Sequence, residues 1–236
     1  MRMPIAAVIV AAGDGLRLGA DVPKAFVPVA GLPMVAWSID AMRATAGVTE
    51  VVVAVPPGRV DWCRARLGRH AALVDLVEGG ATRSVSVARA LAATDDRVTH
   101  IVVHDAARPL VSAEVVRRIV DGIGDADGAI AAAPVPDTIK AAGASGRIAR
   151  TVSRDGLWAA QTPQAFRADR FRDAVARALA EGVLDGATDC ASIMESAGRP
   201  VRLVEVAEAN HKVTRVSDLE VGAALLAARA GGGPVH

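Results

Sequence analysis

Short apolar runs rich in β-branched residues alternate along the chain with longer stretches whose apolar positions recur at helical spacing. Ile5–Val10, Val51–Val55, Ile101–Val103, Ala129–Ala133 and Val201–Val206 are strand-like, bounded by Gly, Pro, Asp or His. Between them the spacing predicts helices over Met34–Ala44, Val60–Leu67, Ser84–Ala93, Glu114–Ile123, Arg167–Ala180, Asp189–Ala197 and Asp218–Ala228. Ser217 with Glu220 reads as a capping box for the last of these, and Ser112 (with Glu114) and Asp189 as further N-terminal caps. Near-continuous apolar strands separated by helices predict an α/β fold: a doubly wound, mostly parallel sheet covered on both faces. In such a sheet the ligand crevice lies outside the carboxyl ends of the strands.

Residues 134–161 break the alternation. Their glycine turns and short β-prone pieces (Thr138–Lys140, Ile148–Val152, Leu157–Ala159) predict a protruding β-arm instead of another βα unit. A ribbon of that kind has edges that need covering, which points to a homodimer that wraps arms. No repeat or low-complexity linker divides the rest, so the expectation is one domain over 1–230 with the arm inserted and a frayed tail at 231–236.

A chain of 236 residues buries a core without staples. Lys+Arg 27 against Asp+Glu 26 leaves a net charge of +1, too little for a basic field that would condense on nucleic acid or an anionic membrane. The hydrophobic fraction of 52% owes much to alanine, and no charge-free apolar run reaches the roughly 18 residues of a spanning helix. Cys63 and Cys190 make neither a disulfide framework nor a CxxC site. These features together predict a cytoplasmic globular protein.

Directly after the first strand stands Ala11-Ala12-Gly13-Asp14-Gly15-Leu16-Arg17-Leu18-Gly19, followed by Pro23-Lys24. Leu18 removes the third glycine of a dinucleotide fingerprint, and no Gly-Lys-Ser/Thr follows as in a Walker loop. Glycines that admit backbone N–H groups, with the cations Arg17 and Lys24, suit a triphosphate; a tight turn with two surface cations gives the same string. His104-Asp105-Ala106-Ala107-Arg108-Pro109 closes the Ile101–Val103 strand, where a doubly wound sheet places its ligand. Taken alone, the Asp105/Arg108 pair reads first as a structural salt bridge. His100 and His104 lack a third ligand and read as packing or loop residues. Glu78-Gly79-Gly80-Ala81-Thr82-Arg83-Ser84-Val85-Ser86 joins a short strand to a helix, either as an ordinary capped loop or as a donor to a base edge or phosphate.

In this order and at these spacings the strings AAGxGxRL with PK, GGxxRxxSV, VVVHDAARP, DTIK, TVSRDGLWAAQTPQAF, TDCAS and NHKVT resemble the 2-C-methyl-D-erythritol 4-phosphate cytidylyltransferases, from Ile5 to Leu225. The resemblance implies a Rossmann-like nucleotidyltransferase that transfers CMP from CTP to 2-C-methyl-D-erythritol 4-phosphate with Mg2+, releasing pyrophosphate. It implies that Arg17 and Lys24 stabilise the reacting phosphorus and the leaving group, and that Ala11, Ala12 and Gly13 line the triphosphate. Gly80 and Ser86 would read cytosine, and Ala106 would pack by the ribose. Asp105 and Arg108 would contact the acceptor, whose phosphate Lys212 and Arg154 would hold. Thr138 and Arg154 match arm positions that reach into the partner subunit's site. The chain departs from the usual pattern at Ala25, Ala81, Cys190 and His211, none of which deletes a proposed cation. The alternatives are the same chemistry on another polyol phosphate such as ribitol 5-phosphate, and a non-catalytic nucleotide-binding regulator.

Overall fold

Alternate side chains of β1 (Ile5–Val10) belong to two different apolar layers, which fixes the architecture around it. Ile5, Ala7 and Ile9 pack with Val35, Ile39 and Met42 of α1 (Met34–Ala44), Cys63 and Leu67 of α2 (Val60–Leu67), and Val116 and Ile119 of α4 (Ala113–Asp121). Ala6 and Val8 pack with Val87 and Leu91 of α3 (Arg83–Ala92), Phe171 of α5 (Ala168–Ala180) and Met194 of α6 (Cys190–Ser196). A strand buried on both faces is apolar at every position, as Ile-Ala-Ala-Val-Ile-Val is. The computed structural model describes residues 3–13 and 22–230; the tail at 231–236 lies outside them.

The other strands of the central sheet are β4 (Val48–Val55), β5 (Asp75–Glu78), β6 (His100–Asp105), β7 (Gly128–Pro134), β10 (Trp158–Arg167) and β11 (Val201–Glu205). The seven-stranded order is β11-β7-β10-β6-β1-β4-β5, with β10 antiparallel to both neighbours and the remaining pairs parallel. From β1 the chain builds outward through β4 to β5, then returns to place β6 on the other side of β1. The order therefore reverses between β1 and β6, and Val10 is in register with Asp105 at their carboxyl ends. That is where an open α/β sheet holds its ligand.

Val29 of the small hairpin β2 (Pro28–Val29) and β3 (Leu32–Pro33) packs with Met34, Leu110, Val213 and Leu226, so α7 (Val216–Ala230) closes over this end of the sheet. The caps at Ser112 and Asp189 form as expected, through Val115 N–H and Ser192 N–H respectively. The Ser217–Glu220 capping box does not. The helix begins at Val216, two residues earlier than expected, and the Asp218 carboxylate reaches back to accept from the N–H groups of Thr214 and Arg215.

The arm is a two-stranded antiparallel ribbon of β8 (Ile139–Ala142) and β9 (Ile148–Val152), most of whose side chains face solvent. Its far boundary differs from the expectation: Trp158, Ala159 and Ala160 pair with Pro134, Ala133 and Ala132 and so belong to the central sheet. β10 itself is a strand that the sequence pattern did not reveal. Thr162, Pro163 and Gln164 interrupt its apolar run, yet all three are buried.

Candidate active site

The upper wall of the site is built by the end of β1 and the loop joining β5 to α3. Thr82 caps α3 by accepting from Val85 N–H at 3.2 Å. Ser86 Oγ accepts from Gly80 N–H at 3.0 Å and donates to Thr82 O at 2.9 Å, while Arg89 Nη1 donates to Gly79 O at 2.6 Å. The loop is thus tied down by its own helix. It also presses against neighbouring chain: a Cβ at Gly79 would stand 2.4 Å from Ala12 Cβ, and one at Gly80 would stand 2.1 Å from Val85 Cγ1. No side chain fits at either position, which is the physical reason for the paired glycines. Lys24 enters from a short 3-10 turn anchored by buried Ala25 and Phe26. Val10–Gly13, Lys24, Gly80–Arg83, Ser86, Asp105–Ala107, Lys212 and Thr214 enclose a cavity of about 480 Å3.

Asp105 stands at the floor of this cavity, 11% exposed at its side chain, and is held from both sides. Oδ1 accepts from Arg83 Nε at 2.8 Å, and Oδ2 accepts from Lys212 Nζ at 2.8 Å. Burial alone would raise its pKa, but the charges and hydrogen bonds of Arg83 and Lys212 outweigh burial and hold the carboxyl well below the usual carboxylate range. Arg83 also donates to Cys190 Sγ at 3.5 Å, and its buried Nη2 has no hydrogen-bond partner among the described residues. Burial pushes the thiols of Cys63 and Cys190 up to about 11, so neither is a thiolate nucleophile near neutrality.

A second, smaller cavity of about 220 Å3 adjoins the first and shares Arg83, Asp105 and Lys212 with it. Its other walls are Arg108, Ala160–Thr162, Gln164, Thr188 and Asp189. Arg108 Nη1 donates to Asn210 O at 2.7 Å, and burial lowers its pKa from the ordinary arginine value. Asn210 Nδ2 donates to Gln161 Oε1 and Thr162 O, both at 2.9 Å, joining the C-terminal segment to β10. Gln164 Oε1 accepts from the N–H groups of Cys190 and Ala191, and its Nε2 donates to Asp189 Oδ2. The polar side chains in β10 are therefore the fasteners of this wall.

Of the residues singled out from the sequence, Ala11, Ala12, Gly13, Lys24, Gly80, Ser86, Asp105, Ala106 and Lys212 meet around the first cavity, and Arg108 joins Asp105 and Lys212 around the second. Ser86 spends its hydroxyl inside the loop. Arg17 lies outside the described residues. Thr138 and Arg154 are exposed on the ribbon and its flank, where Arg154 donates to Pro136 O, and line neither cavity. Sequence reasoning gave no role to Arg83, Gln161, Thr162, Gln164 or Asn210. Each stands inside a string that carried the family resemblance, which was the available signal. Among the described residues no helix is long and apolar enough to cross a membrane.

The family model for 2-C-methyl-D-erythritol 4-phosphate cytidylyltransferase matches residues 5–228. A curated relative of that name from Prochlorococcus marinus is 41% identical over 223 residues, covering 94% of this chain and 98% of its own. Another of that name from Frankia casuarinae is 43% identical over 224 residues, covering 94% and 81%. The crystal structure of 2-C-methyl-D-erythritol 4-phosphate cytidylyltransferase from Thermus thermophilus superposes with a TM-score of 0.77 at 34% identity, covering 93% of this chain and 98% of that one.

Proposed function

The chain belongs to the 2-C-methyl-D-erythritol 4-phosphate cytidylyltransferase family, and we propose that its two adjoining cavities bind CTP and 2-C-methyl-D-erythritol 4-phosphate for transfer of the CMP moiety, with release of pyrophosphate. The observation that carries this reading is the pair of cavities meeting at Asp105, with Lys24 and Lys212 both lining the larger one. CTP occupies the larger cavity. The backbone of Ala11–Gly13 faces its phosphates, the loop locked by Ser86 presents Gly80 to the base, and Ala106 supports the ribose. The acceptor occupies the smaller cavity against Asp105 and Arg108, its phosphate turned toward Lys212.

A phosphate monoester has its second pKa near about 6, so the nucleophile is an anion at neutral pH and needs no general base. It needs cations, because two anions must approach in line. Lys24, together with Arg17, takes up charge on the reacting phosphorus and the departing pyrophosphate. Lys212 steers the acceptor phosphate, and Asp105 holds the Lys212 ammonium in place. Thr138 and Arg154 serve the site of a partner subunit in a homodimer. Their solvent-exposed positions, away from both cavities, support that reading.

Asp105 is the one carboxylate among the described residues lining the larger cavity, and it is already engaged by two cations. That donor set fits a magnesium ion brought in on the CTP phosphates, with the protein adding little ligation of its own. Such an ion supplies further neutralisation of phosphate charge. A cytoplasmic location belongs to the same proposal, since CTP is a cytoplasmic metabolite.

The test is pyrophosphate release with CTP and Mg2+, offering 2-C-methyl-D-erythritol 4-phosphate and ribitol 5-phosphate in parallel. Release with the first acceptor alone is the expected result. Release with ribitol 5-phosphate alone overturns the acceptor assignment, and silence with both despite CTP binding favours a regulator.

A further inference from the structure

His104 is fully buried at the end of β6 and takes no part in the roles set out above. Both ring nitrogens are nevertheless engaged. Nε2 lies 3.1 Å from the carbonyl oxygen of Arg108, and Nδ1 lies 3.1 Å from Thr162 Oγ1. A carbonyl only accepts, so the network assigns the proton to Nε2. Nδ1 is then the acceptor, and the Thr162 hydroxyl donates to it. The same hydroxyl oxygen accepts from Asp105 N–H at 3.1 Å. Every donor and acceptor in the cluster is matched with a neutral ring, and burial pushes the His104 pKa down to about 4, which keeps it neutral.

Thr162, Arg108 and Asp105, the residues that this ring connects, all line the smaller cavity. They come from three segments: the end of β6, the turn that follows it, and the antiparallel neighbour β10. The loop on the nucleotide side is held by other bonds, those of Thr82, Ser86 and Arg89. We propose that His104 is a positioning residue of the acceptor cavity: one neutral imidazole orients the Thr162 hydroxyl and the Arg108 peptide, and through them sets Asp105 and Arg108 against the acceptor. This rests on the function proposed above.

The variants His104→Asn and His104→Gln separate the two bonds. The Asn amide oxygen stands near the position of Nδ1 and keeps the Thr162 partner; the Gln amide nitrogen stands near Nε2 and keeps the Arg108 partner. Each leaves one buried polar group unpaired, so the KM for the acceptor is expected to rise about tenfold in each and further in His104→Ala. The KM for CTP is expected to stay within about twofold of wild type. Equal rises in both KM values overturn the proposal, as does a fall in thermal midpoint with the acceptor KM unchanged. Wild-type turnover measured alongside reports separately on the proposed function, and the KM split is read with whichever polyol phosphate supports turnover. The 15N shifts of the wild-type imidazole need neither substrate nor variant. A neutral ring protonated at Nε2 near pH 7 supports the proposal, and a ring protonated at Nδ1 overturns it.

Discussion

Replacing Asp105 with Asn keeps the shape of the side chain and removes the charge on which Arg83 and Lys212 converge. The amide places a donor against one of two cations that have no other carboxylate among their ion pairs in the described residues. The two contacts are unequal. Lys212 is 42% exposed at its side chain, so solvent screens its loss to below about 1 kcal/mol. Arg83 is 24% exposed and already has one nitrogen without a partner among the described residues, so most of the cost falls there. Breaking a buried pair costs about 3–5 kcal/mol, and partial exposure of Arg83 brings the expected loss to about 2–4 kcal/mol. For a chain of this size that is a fall of roughly 5–15 °C in thermal midpoint near pH 7. The pH dependence gives a sharper check. The folded-state pKa of Asp105 is depressed. Its contribution is therefore fully present above the unfolded value of about 3.9 and is lost as pH falls toward the folded value. Urea midpoints of wild type and Asp105→Asn should keep a constant gap from about pH 8 to 5, and the gap should narrow below about pH 4. Equal midpoints near neutrality, or a gap undiminished at about pH 3, would refute the assignment of Asp105 as the charge that holds this junction.

Lys24→Ala should lower kcat by about 10²–10³, the loss expected when a charge contact made in the transition state is removed, and near wild-type turnover removes Lys24 from the catalytic list. Arg154→Ala should cripple turnover while leaving CTP binding nearly intact, as titration with CTP would show. If Arg154 serves the partner's site, mixing inactive Arg154→Ala and Lys24→Ala subunits should restore about a quarter of the wild-type rate, because each heterodimer regains one intact site. No recovery on mixing argues against composite sites. Ser86→Ala frees Gly80 N–H and should raise the KM for CTP roughly tenfold with kcat held; a fall in kcat at unchanged KM contradicts a loop-setting role.

The strands and helices that pack against the two faces of the sheet were legible because their chemistry is periodic. Ile5–Val10, Met34–Ala44 and Val60–Leu67 occur with the boundaries that the pattern predicts. β10 was not legible, and the cause is specific. Gln161, Thr162 and Gln164 are polar where a central strand is usually apolar, and Pro163 has no N–H to give to a ladder. What makes the segment a strand is supplied from elsewhere. Phe166 stacks on Phe171 with ring centroids 4.6 Å apart, and each polar side chain finds a buried partner elsewhere in the chain, Gln161 at Asn210, Thr162 at His104 and Gln164 at Cys190 N–H. The family resemblance marked the same string without saying that it threads between β6 and β7. The pattern extends the arm one step too far for a related reason: alanines at 159 and 160 suit an exposed ribbon or a sheet equally, and pairing with Ala133 and Ala132 decides it.

The site shows the same division more strongly, because its contacts join residues far apart in the chain. Asp105 meets Arg83 across 22 residues and Lys212 across 107. No local pattern ranks those two cations above the many other basic residues. The ranking comes from topology: the order of strands reverses between β1 and β6, which brings Ala11–Gly13 beside Ala106 and leaves Asp105 at the boundary of two cavities. Once that carboxylate is placed, its neighbours follow from the cost of burying charge. A carboxyl 11% exposed needs partners, and the first residue of α3 and the segment after β11 each supply one. The polar residues of β10 then satisfy what remains, Thr162 at Asp105 N–H and Gln164 at the start of α6. Arg83 and Lys212 thus join the buried fasteners in one network around Asp105, and on the proposed function a substitution deep in the wall, such as one at His104 or Gln164, should be felt at the acceptor before it is felt at CTP.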